Sequence, residues 1–212
     1  MPPPAKLDKM RSAILAKSPR KIFIVCSYGG CGSKMLCAYL RQFGAVKHVH
    51  SRYPPAQLTH VGLNEWFSES PVNPADLPNY YVIYIYRAPV KAILSRFGQA
   101  EHLAHIQTNP ATTLQDVITR QQDLYGIENF FDNYTTPVIK RNYKIYCVKY
   151  EEFFNKLAEF NRVFNIHCSK AQYPAEHTTP KSNPSPADMV VLDRIYGRLH
   201  HKMQHMPFIK VV

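Results

Sequence analysis

The chain has 212 residues, 45% of them hydrophobic, which is enough for one domain with its own core. No stretch approaches the roughly 20 apolar residues that a membrane span needs. The opening Met1-Pro2-Pro3-Pro4-Ala5-Lys6 lacks the apolar run of a secretory signal, so a soluble intracellular protein is expected. A formal charge of +11 fits either a solvated basic surface or an anionic partner; the basic residues are spread along the chain without a dense block, and nucleic acid is not expected as the main ligand. The cysteines, Cys26, Cys31, Cys37, Cys147 and Cys168, are odd in number and form no C-x-x-C pair, which argues against a disulfide framework or a cysteine zinc site.

Residues 1–20 form a basic leader with a short amphipathic helix expected over 6–17, and residues 21–212 form the folded domain. Residues 21–26 (Lys-Ile-Phe-Ile-Val-Cys) are a nearly continuous apolar run, the pattern of a strand buried on both faces. Gly29, Gly30 and Gly32 end it. From Ser33 the period becomes helical, with Leu36, Tyr39, Leu40 and Phe43 on one face and Gly44 as the stop. A second strand is predicted over 45–50, followed by a Pro-containing loop over 51–78. Residues 80–86 (Tyr-Tyr-Val-Ile-Tyr-Ile-Tyr) are the strongest strand signal.

Arg87-Ala88-Pro89 ends that strand and a helix is predicted from Val90 to Phe97. A longer helix is predicted over 112–125, entered through Thr112-Thr113-Leu114-Gln115 as a capping box. Residues 144–149 give another strand and 150–164 another helix, with Phe154, Leu157, Phe160 and Phe164 at core spacing. After a Pro/Ser/Thr-rich loop over 172–186, Ser185 caps a final helix with Pro186 at its first position and Asp188 in its first turn. Its apolar stripe is Leu192, Ile195, Tyr196, Leu199 and Met203. Strands alternating with helices predict a single-domain α/β fold, a doubly wound, mainly parallel sheet with a P-loop-like strand–loop–helix.

The chemistry begins at Ser27-Tyr28-Gly29-Gly30-Cys31-Gly32-Ser33-Lys34. A strand, a glycine turn and a helix N-terminus together make an anion cradle. Glycines let the backbone approach and aim its N–H groups inward, and the helix dipole adds partial positive charge. The loop is not a Walker A motif, because Lys34 stands where that motif places its magnesium-binding hydroxyl. The later strands run into Arg87 and into Tyr150-Glu151 rather than ending in an aspartate that could hold Mg²⁺. Group transfer without a metal is therefore the expected chemistry.

An arginine leaving a buried strand, Arg87, followed by Ser95 on the next helix, resembles the 3′-phosphate motif of the sulfotransferases. In that family the pair grips the 3′-phosphate of 3′-phosphoadenosine 5′-phosphosulfate (PAPS). A planar guanidinium fork suits phosphate oxygens. Loop 27–34 is similar to the family's 5′-phosphosulfate loop, Tyr-Pro-Lys-Ser-Gly-Thr-Thr, with Tyr28, Gly32 and Ser33 in matching places. Val148-Lys149-Tyr150-Glu151 resembles the family's later strand ending in Tyr-Glu. The three segments occur in the family's order and cover most of residues 21–164. The resemblance implies that Tyr28, Gly29, Gly30, Cys31, Gly32, Ser33, Lys34 and Met35 with Arg87, Ser95, Tyr150 and Lys181 bind PAPS or its product, 3′,5′-bisphosphoadenosine. One departure stands out: Gly30 occupies the place of the family's usual Lys or Arg. Lys34 and Lys47 are the candidates to supply that charge.

Sulfonyl transfer needs a base for the acceptor's proton. The resemblance directs attention to the segment after the second strand, which holds His48, His50, His60 and Glu65. His50 is the first choice and Glu65 the second. Two alternating histidines make a poor zinc site without a third ligand. Trp66 and Phe67 are candidates for an acceptor pocket or a hydrophobic loop anchor. A basic C-terminal loop, with Lys181 and Ser182, is where family members close over the 3′-phosphate. The expected activity is sulfonate transfer to a hydroxyl or amine of a glycan or small molecule, with an acidic acceptor favoured by the charge. The rival readings are a P-loop small-molecule kinase and a non-catalytic nucleotide or polyanion binder.

Overall fold

The computed structural model describes residues 21–59, 71–96, 106, 108–136, 139–175 and 184–212. The leader 1–20 with its helix over 6–17, and His60, Glu65, Trp66, Phe67, Lys181 and Ser182, lie outside the described residues. Among these residues five strands form one sheet: β1 (Ile22–Cys26), β2 (Ala45–Val49), β3 (Tyr80–Tyr86), β4 (Ile145–Lys149) and β5 (Ile209–Val211), in the order β2-β1-β3-β4-β5. The first four run parallel, and β5 pairs antiparallel with β4. Among the described residues seven α-helices accompany them: α1 (Ser33–Leu40), α2 (Pro89–Arg96), α3 (Leu114–Arg120), α4 (Ile127–Thr135), α5 (Tyr150–Phe153), α6 (Leu157–Val163) and α7 (Pro186–Gln204). The fold is α/β with a mostly parallel sheet. Among the described residues, no helix is long and apolar enough to cross a membrane.

The continuous apolar strands have a direct cause: helices cover both faces of the sheet. Phe23, Val25, Ile83, Ile85 and Val148 pack with Leu36 and Leu40 of α1 and with Phe153, Leu157 and Phe160 of α5 and α6. On the other face, Ile24, Cys26, Val82, Tyr84 and Tyr86 pack with Ile93 of α2, Phe130 and Phe131 of α4, and Leu192 and Tyr196 of α7. Tyr84 stacks on Tyr134 with ring centroids 4.4 Å apart and planes 19° off parallel. Losing one such buried ring costs about 3–5 kcal/mol.

Ser185 caps α7 as the sequence predicts: its side chain accepts from the Asp188 N–H, and Pro186 opens the helix. Two expectations are corrected, and one helix appears where none was predicted. The helix over 112–125 is α3, capped by Thr113 with Asp116 and ended at Gln121, whose φ of 50° is left-handed. The segment from Ile127 to Thr135 is a separate helix, entered through left-handed Gly126. The helix over 150–164 is two helices, interrupted between Phe153 and Leu157.

The chain after β2 is anchored by a residue with no local pattern. Arg52 is buried and donates to the carbonyls of Ile106, Tyr125 and Gly126, at 2.9, 3.0 and 2.6 Å, and to Thr108 Oγ1 at 3.0 Å. A Cβ on Gly126 would lie 2.4 Å from its Nη1, so glycine is required there. This hub ties the segment after β2 to the α3–α4 turn. Replacing Arg52 by Met takes from the Ile106 carbonyl both of its Arg52 donors, and from the Tyr125 and Gly126 carbonyls one of two, Thr108 Oγ1 and the Phe130 N–H remaining there. The expected loss is about 3 kcal/mol in chemical denaturation, with Arg52→Lys intermediate because one ammonium cannot serve all three acceptors.

Candidate functional site

β1 is flanked by β2 on one side and β3 on the other. The connections after β1 and after β2 therefore leave in opposite directions, which opens a crevice beyond the C-terminal ends of β1 and β3. Open α/β sheets bind ligands at such a point. The glycine loop follows β1 here, and Arg87 follows β3. His48 and His50 come from the end of β2, and Tyr150 and Glu151 follow β4.

The loop is held by close backbone approach. Gly29, Gly30 and Gly32 have φ of 101°, 66° and 78°, all left-handed. A Cβ on Gly30 would lie 2.2 Å from the Ala92 carbonyl oxygen of α2, and one on Gly32 would lie 2.3 Å from the Tyr150 ring. Gly30 thus has a steric reason: the loop presses directly on the α2 backbone, and no basic side chain can grow from this position. Gly32 is the N-cap of α1, and no side chain caps that helix. The first-turn N–H groups of α1 are consequently available to an anion.

The serines at either end of the loop are joined. Ser27 Oγ donates to Ser33 Oγ at 3.0 Å and accepts from the Gly29 N–H at 3.2 Å. Ser33 Oγ also bonds His48 Nε2 at 2.9 Å. His50 Nδ1 lies 2.7 Å from the Ser27 carbonyl oxygen. A carbonyl only accepts, so that nitrogen carries a hydrogen, and the bare nitrogen of the neutral His50 ring is Nε2. The two imidazoles meet edge to face, 4.4 Å between centroids. Lys47 alternates to the opposite face of β2 from His48, while Lys34 is exposed on the first turn of α1.

Tyr28 and Cys31 are fully buried, so backbone is all they present to the crevice. Burial raises the Tyr28 pKa well above that of an ordinary phenol. The Tyr28 hydroxyl donates to the Arg87 carbonyl and accepts from the Arg87 N–H, fastening the end of β3 to the loop. The Arg87 guanidinium lies over the Tyr150 ring, 4.8 Å from its centroid. Among the described residues its only polar contact is a long one, Nη1 to the Gly30 carbonyl at 3.5 Å. Its Nε is buried without a hydrogen-bond partner among the described residues. No carboxylate pairs with Arg87 among the described residues: Glu151 instead accepts from the Ala88 N–H at 2.8 Å.

Tyr150 itself is only 6% exposed, wedged between Gly32 and Arg87. Ser95 is half-buried on α2, on the same stripe as Ala88 and Ala92. Two grooves open among the described residues, and neither is lined by residues 27–34. One, of about 390 Å³, runs between Ala88, Lys91, Glu151 and His200. The other, of about 420 Å³, opens beside Met35, Tyr39 and Gln172. Sequence reasoning missed the Ser27–Ser33–His48 chain and the role of Glu151. The alternation of His48 and His50 was the one available signal. No family model, curated protein or solved structure matches this chain.

Burial pushes the thiols of Cys26, Cys31, Cys37 and Cys147 up to about 12, and only Cys168 is partly exposed. At pH 8 those four carry almost no thiolate. An aromatic disulfide reagent should modify at most Cys168 in native protein and all five thiols in denaturant, so rapid native labelling of Cys31 would contradict a packed loop.

The glycine loop gives a sharper test. Gly30→Ala adds strain at a left-handed φ and a clash with backbone, and should cost at least about 2 kcal/mol. Gly197 of α7 has nothing within 4 Å of its added Cβ. Gly197→Ala should therefore stabilise by up to about 1 kcal/mol in the same denaturation assay.

Proposed function

We propose that this chain is a sulfotransferase that uses PAPS and delivers the sulfonate to a hydroxyl or amine of its acceptor. The observation that carries the reading is Arg87. A half-buried guanidinium whose Nε has no acceptor, and which has no carboxylate partner, among the described residues stands at the crevice between β1 and β3. Beside it lie the open first-turn amides of α1. A buried donor without an acceptor is costly, and a bound phosphate oxygen would remove that cost. The positive φ values of the loop favour backbone recognition of an anion in the same crevice.

When bound, PAPS supplies the sulfonate and leaves as 3′,5′-bisphosphoadenosine. Within this reading the α1 amides, Ser33 and Lys34 hold the 5′-phosphosulfate and stabilise the negative charge that grows on its leaving oxygen. Arg87, with Ser95, holds the 3′-phosphate and sets register. Met35 is placed beside a groove with room for a nucleobase. His50 takes the acceptor proton on Nε2, its Nδ1–H fixed by the Ser27 carbonyl. The excess positive charge of the chain suits an acidic acceptor.

A second reading has its own support. The Ala92 carbonyl excludes a basic side chain at Gly30, and that favours a nucleotide binder without catalysis. Thermal shift with 3′,5′-bisphosphoadenosine, ADP and Mg·ATP separates the readings. The bisphosphate should raise the melting temperature by about 5 °C at a hundredfold excess over Kd. Arg87→Ala should weaken its binding by at least about tenfold, through lost charge-assisted hydrogen bonds. Stabilisation by Mg·ATP alone would favour a kinase and sink the sulfotransferase reading. Binding without sulfonate transfer from labelled PAPS to any member of an acceptor panel would favour the non-catalytic binder.

A further inference from the structure

Ser33 opens α1 at the mouth of the cradle, yet it is only 4% exposed and engaged on two sides. A hydroxyl has one hydrogen and two acceptor positions. Ser27 Oγ–H fills one acceptor position of Ser33, at 3.0 Å. The remaining contact is His48 Nε2, at 2.9 Å, and its direction decides what Ser33 can do. With Nε2 bare, Ser33 gives its hydrogen to the imidazole. The cradle then meets only a lone pair, which repels an anion. With Nε2 protonated, the ring donates, both acceptor positions are filled, and the single Ser33 hydrogen points into the cradle beside the α1 amides.

We propose that His48 is a positioning residue for anion binding. It donates Nε2–H to Ser33 and so aims the Ser33 hydroxyl at an oxygen of the bound phosphate or sulfonate. An anion brings only acceptors, so its binding selects this arrangement. The same chain reaches His50. Ser27 holds Ser33 through its hydroxyl and His50 through its carbonyl, so the anion-facing donor and the base of the proposed reaction share one residue. The inference rests on the anion-binding reading of the loop, but it assigns a role to a histidine that the reading leaves unused.

The test uses calorimetric titration of the full chain with 3′,5′-bisphosphoadenosine and, separately, with inorganic pyrophosphate. His48→Leu should weaken binding about tenfold. His48→Gln, whose amide N–H can stand in for Nε2–H, should stay within about twofold of the parent. In a Ser33→Ala background, His48→Leu should change affinity by less than about twofold, because its effect passes through the missing hydroxyl. A His48→Gln variant that melts like the parent but binds as weakly as His48→Leu overturns the proposal. So does a full tenfold loss in the Ser33→Ala background, which would mean that His48 touches the anion directly.

Ring nitrogen-15 shifts of the anion-bound parent protein provide a check that no folding defect can confuse. A protonated Nε2 on His48 is expected, and a bare Nε2 overturns the proposal. Pyrophosphate binding without bisphosphate binding removes the nucleotide reading and leaves His48 to be judged with pyrophosphate. Failure of both anions to bind the parent overturns the proposal itself. Arg87-dependent bisphosphate binding with no effect of His48→Leu overturns it while the sulfotransferase reading stands.

Discussion

The site depends on a loop threaded between two surfaces that admit no side chain. On one side of Gly30 is the Ala92 carbonyl, and on one side of Gly32 is the Tyr150 ring. The backbone can pass only because both residues lack a Cβ and both accept a left-handed φ. This confinement brings α2 and the start of α5 against the start of α1. It also places Arg87, one residue before Ala88 and the α2 N-terminus, next to the Gly30 carbonyl. Neither Gly30 nor Gly32 has room for a side chain, so no cation can stand at either position.

That constraint explains how the charge is arranged. Glu151 lies close enough to bond the Ala88 N–H, yet it leaves the neighbouring guanidinium unpaired. Tyr150 offers Arg87 an aromatic face, which holds the group in place without neutralising it. Tyr28 fixes the backbone of Arg87 from the other side through its buried hydroxyl. The guanidinium is oriented by a ring and by its own backbone, and its buried Nε has no acceptor among the described residues. Lys149, one position before Tyr150, is handled differently. Its ammonium is used up on the carbonyls of Gln204 and Met206 and on Glu152, closing the end of α7 onto β4.

The parts legible in the sequence were those with a local cause. Residues 21–40 carry a strand run, three glycines and a helical stripe in succession, and each signal is complete within a few residues. β3 declared itself by seven β-forming side chains, and α7 by the Ser185-Pro186-Ala187-Asp188 cap. What was hidden depends on distant partners. β5 has three residues and exists because β4 supplies its hydrogen bonds. α4 begins after a glycine that looks like a terminator but is fixed left-handed against Arg52. No helix breaker marks the interruption between α5 and α6. Arg52 itself gave no sign, because its acceptors lie 54 to 74 positions away. At the site, the glycine loop and Arg87 were legible. The steric reason for Gly30 was not, since the Ala92 carbonyl that imposes it belongs to another helix.

The hydrogen-bond chain at the loop rests in turn on strand register. β1 and β2 pair with Val25 opposite His48 and Cys26 opposite Val49. That register puts Val46 and His48 on the face covered by α1, and Val49 on the face covered by α4. Side chains alternate along a strand, so a slip of one residue would carry both histidines to the opposite face, away from Ser33. The hydrophobic neighbours prevent it. The same slip would turn Val46 out of the core under α1 and move Val49 out of its own layer, each a cost of about 1–2 kcal/mol or more. The alternation that buries the valines of β2 therefore also aims its histidines. A polar network 15 residues apart in sequence is held by apolar packing rather than by its own hydrogen bonds.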